Sequence, residues 1–141
     1  MPEATHLIPE SHRDLLERPV VVTLVTVMPD GQPQATPVWC DTEGEFIRVN
    51  TTRGRQKHKN MVARPKVTIL AVDPQNPYRW IEVRGVIVDM NDDQTIAVGH
   101  IDKLAKLYRG DDDYYSRNPE RRGTETRVVV RIKPTRVVTG G

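Results

Sequence analysis

The sequence predicts a mainly β fold of the α+β class, a six- to seven-stranded antiparallel β-barrel with peripheral helices. Three observations carry this. Runs rich in valine, isoleucine and threonine recur along the chain, turn residues separate them, and only two stretches have helical character. An open sheet of this many strands would expose two edges, and closure into a barrel removes them. With 141 residues the chain fits one domain, spanning 1–141.

The elements follow in order. Residues 20–28 form a first β-branched run; Pro29, Asp30, Gly31 and Gln32 supply a turn, and residues 33–40 return as its hairpin partner. Asp41, Thr42, Glu43 and Gly44 read as a second turn before a third strand at 45–51, giving three consecutive antiparallel strands. From Gly54 the alternation stops, and residues 55–64 read as a short helix closed by Pro65. Strands at 66–72 and 80–90 flank a polar connection of Asp73, Pro74, Gln75, Asn76 and Pro77. Ala97, Ile101, Leu104, Ala105 and Tyr108 then fall at helical spacing, with Asp92 or Asp93 as N-cap and Gly110 as stop. Residues 111–125 are polar, carrying Tyr114 and Tyr115, and read as a functional loop or a disordered one. A last core strand at 127–132 ends at Pro134, with a shorter tail strand at 136–139.

Composition narrows the chemistry. The chain is 37% hydrophobic with no apolar run near the roughly 20 residues that span a bilayer, so no membrane association is expected. Pro2, Glu3 and His6 do not resemble a secretory signal, which makes the cytoplasm the expected compartment. Cys40 is the one cysteine, and His6, His12, His58 and His100 are scattered, so neither a disulfide nor a metal site is expected. A net charge of +2 with seven aromatic residues argues against nucleic acid as partner. The glycine-rich dinucleotide fingerprint, the phosphate loop and the nucleophile elbow are absent. Cys40, at a strand end without a neighbouring histidine, reads as a buried inert thiol.

Three features remain. Thr51, Thr52, Arg53, Gly54, Arg55, Gln56, Lys57, His58, Lys59 and Asn60 bridge a strand end and a helix start. Cations and hydroxyls beside free helix amides suit a phosphate, although a solvated basic face accounts for the same run. Gln34, Ala35, Thr36, Pro37, Val38 and Trp39 end a strand of small residues in an indole. That strand is a floor for a planar heterocycle, or Trp39 is a core or interface residue. Tyr78, Arg79, Trp80, Ile81 and Glu82 begin another strand and say little alone.

The order of these motifs, with Arg64, Pro65, Lys66 and Val67 and the run from Asp73 through Arg84 to Gly85, resembles the pyridoxamine 5'-phosphate oxidase-like split-barrel family. It is most similar to the branch that uses coenzyme F420, a deazaflavin. The resemblance covers about residues 7–138. It implies a barrel of the FMN-binding split-barrel type, assembled as a homodimer with two cofactor sites at the subunit interface. Carried to matching positions, it implies that Thr51, Thr52, Arg55 and Lys57 bind the cofactor phosphate and that Thr36, Pro37, Val38 and Trp39 line the ring. Asn60 joins them, and Tyr78, Arg79 and Trp80 reach the site of the opposite subunit. The implied activity is hydride transfer from reduced F420 to an electron-poor double bond of a small organic substrate. The protein orients the cofactor and needs no catalytic residue of its own. An FMN-dependent oxidase or reductase, or a non-catalytic cofactor-binding protein, are the alternatives. The arginine-rich C-terminal segment of the vitamin-specific oxidases is not recognisable after Arg127, which argues against pyridoxamine phosphate as substrate.

Overall fold

The computed structural model describes residues 7–141; the reading of Pro2, Glu3 and His6 lies outside the described residues. Ten elements follow one another: α1 (Glu10–Glu17), β1 (Val22–Val27), β2 (Pro33–Val38), β3 (Cys40–Glu43), β4 (Phe46–Thr52), α2 (Gln56–Ala63), β5 (Lys66–Asp73), β6 (Asn76–Asn91), α3 (Gln94–Arg109) and β7 (Arg127–Gly140). The strands make one antiparallel seven-stranded sheet in the order β2-β1-β5-β6-β7-β4-β3.

That order places β2 and β3 at opposite ends of the sheet, yet only Trp39 separates them in the chain. Two residues of extended backbone reach about 7 Å, so the ends must meet and the sheet must curl. The result is a split barrel whose seam is Trp39. Its interior is filled by the inward positions of each strand, among them Val22, Leu24, Ile47, Val49, Ile69, Ile81, Val83, Val130 and Ile132. Leu15 and Leu16 of α1 join this core fully buried. A second layer lies outside: α3 packs on β4 and β7 and buries Ala97, Ile101, Leu104 and Ala105. No helix among the described residues is long and apolar enough to cross a membrane.

Several expectations hold at the level of single residues. Asp93 caps α3, accepting from the Thr95 amide at 3.0 Å, and Gly110 ends it at φ 75°, in the left-handed region that favours glycine. Others need correction. Asp41, Thr42 and Glu43 belong to strand β3, and the turn shrinks to Gly44 and Glu45. Their polarity imitates a turn because Asp41 meets Arg48 directly across the β3–β4 ladder. The first strands are also not three neighbours in a row: β1 pairs with β2 and β5, while β3 and β4 join the sheet through β7.

Pro134 does not end the last strand. β7 runs unbroken because its pairing with β6 skips Thr135, a bulge that places Pro134 opposite Gly85 and removes the need for its missing amide proton. Residues 111–125 are ordered by two 3-10 turns, Tyr114–Arg117 and Pro119–Arg121, with Tyr115 buried. The helix α1 has no side-chain N-cap and spans eight residues, which leaves little local signal to read.

Candidate functional site

The seam brings together residues that are remote in sequence. Trp39 stacks on Tyr108 of α3, with ring centroids 5.1 Å apart and planes 13° from parallel. The Tyr108 hydroxyl accepts from the Cys40 amide at 3.1 Å and donates to the Val20 carbonyl at 2.8 Å, so α3 holds the seam closed. At the end of α3 the Arg109 guanidinium lies 5.2 Å from the Trp39 ring centroid and 5.3 Å from that of Tyr114. Its Nη2 donates to the Tyr114 carbonyl at 3.0 Å, tying the following loop to the helix.

Beside this cluster opens a cleft of about 330 Å³. Pro37, Val38 and Trp39 form one side, Ile101 and Leu104 of α3 another, and Arg55, Lys57, Arg109 and Arg127 surround it; no acidic side chain lines it. Arg55 is the N-cap of α2 and offers no side-chain acceptor to the helix, so the first amides of α2 stay uncapped beside two cations. Burial and the positive charges of Arg55 and Arg127 push the Lys57 ammonium below the ordinary lysine range. An anion placed among these cations lowers their repulsion.

Behind the cleft runs a buried polar chain. Asp41 is 5% exposed, and Arg48 grips it with Nε at 2.9 Å and Nη2 at 2.7 Å. Burial alone would raise the Asp41 carboxyl, but the hydrogen bonds from His100 and Arg48 outweigh it and hold the group well below the usual carboxylate range. His100 Nε2 stands 3.1 Å from Asp41 Oδ1, its Nδ1 stands 3.1 Å from Asn50 Nδ2, and Asn50 Oδ1 accepts from Arg127 Nε at 2.9 Å.

Of the residues singled out in the sequence, Pro37, Val38, Trp39, Arg55 and Lys57 line the cleft together. Thr52 stands just behind, accepting from Arg127 Nη1 at 2.9 Å. Thr51 alternates to the barrel interior, where its hydroxyl is buried without a partner. Thr36, paired with Leu24 across β1, is not in the lining. Asn60 is fully buried and donates to Thr26 Oγ1 and Gln34 Oε1, both at 3.0 Å, which fastens α2 to β1 and β2. Tyr78, Arg79 and Trp80 do not line the cleft. Arg79 anchors α1 by pairing with Asp14 and Asp73, Trp80 packs against Gly140, and Tyr78 is 82% exposed.

Sequence reasoning missed Asn50, Arg109, Tyr114 and Arg127. Arg109 closes the helical pattern and looks like an ordinary C-terminal cation, while Arg127 opens a strand 72 residues after Arg55. Only the Tyr114–Tyr115 doublet stood out as a signal.

The fold, the seam and a cation-lined cleft together define a class. The sequence profile of the pyridoxamine 5'-phosphate oxidase family matches residues 8–139, and the chain belongs to that family. More particularly, it is similar to a solved protein described as an F420 reductase, with 36% identity over 93% of this chain and 98% of that one, at a TM-score of 0.79. It also resembles the conserved hypothetical protein Rv2991 from Mycobacterium tuberculosis, with 23% identity over 97% of this chain and 87% of that one, at a TM-score of 0.74. The General Stress Protein 26 from Bacillus anthracis is 18% identical over 93% and 92% of the two chains, with a TM-score of 0.65. These last two likenesses are of fold. No curated protein matches the sequence.

Proposed function

We propose that this chain is an oxidoreductase that binds coenzyme F420 and passes a hydride from its reduced form to an electron-poor double bond of a small organic substrate. The observation that carries the reading is the cleft itself, in which cations and uncapped helix amides face a strand that ends in an indole. The likeness to a protein described as an F420 reductase supports a deazaflavin over FMN.

The residues divide the work. Arg55 and Lys57, with the first turn of α2, take the phosphate, since a fork and a point charge beside free amides match its oxygens. Pro37, Val38 and Trp39 lay an apolar edge along the ring, and the Tyr108 stack holds the indole at one angle. Ile101 and Leu104 keep that side of the cleft dry. A bound deazaflavin supplies the hydride chemistry, and no acid or base of the chain is needed at the reacting atom.

The cleft is open on the side of Val21, which is 56% exposed. The outer face of β1 and β5 continues from there with Val25 and Leu70 to Val72, itself 39% exposed. An apolar sheet face beside a half-walled cleft fits a homodimer in which the partner completes the site. Tyr78 is free to meet such a partner.

Titration of the purified protein with F420 and separately with FMN, read by chromophore fluorescence and melting temperature, tests the reading. Tight binding of F420, lost in the Arg55→Ala/Lys57→Ala double variant while the fold persists, is the expected result. Preference for FMN moves the activity to the flavin branch, binding without turnover of any acceptor makes the chain a cofactor carrier, and unchanged affinity in the double variant removes the phosphate role.

A further inference from the structure

Arg127 is only 3% exposed, yet it lines the cleft. Its Nε donates to Asn50 Oδ1 at 2.9 Å, and its Nη1 donates to Thr52 Oγ1 at 2.9 Å and to Glu125 Oε1 at 3.2 Å. Among the described residues Nη2 meets no acceptor. The charge of Glu125 is shared, because its carboxylate also receives the Tyr115 hydroxyl at 2.8 Å and Arg121 Nη2 at 2.8 Å. With Nε and Nη1 engaged, the remaining edge of the guanidinium opens on the cleft and leaves Nη2 to donate to an acceptor bound there.

Its direction is set from behind. Asn50 Nδ2 donates to the Ala97 carbonyl at 3.0 Å and lies 3.1 Å from His100 Nδ1, which therefore acts as acceptor. The ring proton of a neutral His100 then sits on Nε2 and is donated to Asp41 Oδ1. Each link allows one orientation of the next: Asp41 fixes the His100 tautomer, His100 fixes the Asn50 amide, and Asn50 presents its oxygen to Arg127.

We propose that Arg127 is a third ligand of the phosphate held by Arg55 and Lys57, and that His100, acting through Asn50, is the positioning residue that aims it. This rests on the cofactor reading above. The three cations line one cleft. A phosphate oxygen can accept from Arg127 Nη2 while Nε remains with Asn50 and Nη1 with Thr52 and Glu125.

The test compares ligands that differ only in the phosphate: FMN against riboflavin, and the 5'-phosphate of the F420 deazariboflavin core against that core itself. In the wild type the phosphate should tighten binding. Arg127→Lys keeps the charge and loses the planar group that Asn50 and Thr52 hold in place, and it should cut that advantage about tenfold with little change for the phosphate-free ligands. His100→Leu should do the same, and His100→Gln should restore it, because a glutamine amide can donate to Asp41 and accept from Asn50. An undiminished phosphate advantage in Arg127→Lys and His100→Leu, or equal weakening of both ligands of a pair, overturns the proposal.

One measurement needs neither a variant nor a chromophore. Titration of the wild type with inorganic phosphate, followed by the arginine side-chain resonances, should shift Arg127 together with Arg55, and a shift at Arg55 alone or at neither overturns the inference. A wild type that binds no chromophore overturns the cofactor reading, and the phosphate shifts still decide the role of Arg127.

Discussion

Two side chains at the seam carry opposite consequences of burial. The Cys40 thiol is completely enclosed, and burial pushes it up to about 12, so almost no thiolate exists near neutrality. A thiol-directed disulfide reagent should therefore leave the native protein untouched and label Cys40 only after unfolding in denaturant. Asp41, by contrast, is charged and fully engaged. Because its folded pKa lies below the value of about 3.9 expected in the unfolded chain, its stabilising contribution is complete above that value and is lost as pH falls below it. Asp41→Ala strands His100 and Arg48 without their acceptor and should cost about 3 kcal/mol in urea unfolding at pH 7. The difference from wild type should narrow as the pH is taken below about 4. The sequence placed Asp41 in a turn, since a carboxylate followed by Thr42, Glu43 and Gly44 has that local preference; its cross-strand partner Arg48 is what makes it a strand residue.

Among the elements, the long β6–β7 ladder depends on one glycine. A Cβ at Gly85 would stand 2.7 Å from both Ile132 Cγ2 and the Lys133 carbonyl oxygen, at the point where the register shifts to admit Pro134. Gly85→Ala should destabilise the fold by about 1–3 kcal/mol, measured by denaturant titration, because backbone at a bulge cannot give way as a flexible side chain can. Helix α3 was legible almost to its ends, as its apolar spacing, the cap at Asp93 and the stop at Gly110 are all local. Strand β7 was not: Pro134 forbids a regular ladder, and only the partner strand shows that a bulge absorbs it.

For the whole molecule, the proposed homodimer turns on the outer face of β1 and β5. Val72→Asp places a charge at the exposed end of that apolar face and should give a monomer by light scattering, with cofactor affinity reduced although residue 72 does not line the cleft. A dimer of unchanged mass would place the interface elsewhere. The sequence by itself determined what depends on near neighbours: the β-rich class, most strand and helix positions, and the basic strand-to-helix junction at Arg55 and Lys57. Tertiary structure decided the rest. It joined β2 to β3 through Trp39 at opposite sheet ends, turned Thr51 inward, spent Asn60 on a buried network, and brought Arg109, Tyr114 and Arg127 to the cleft. The reason is physical. Propensity and alternation act over a few residues, whereas the curl of a seven-stranded sheet sets which distant side chains share one space.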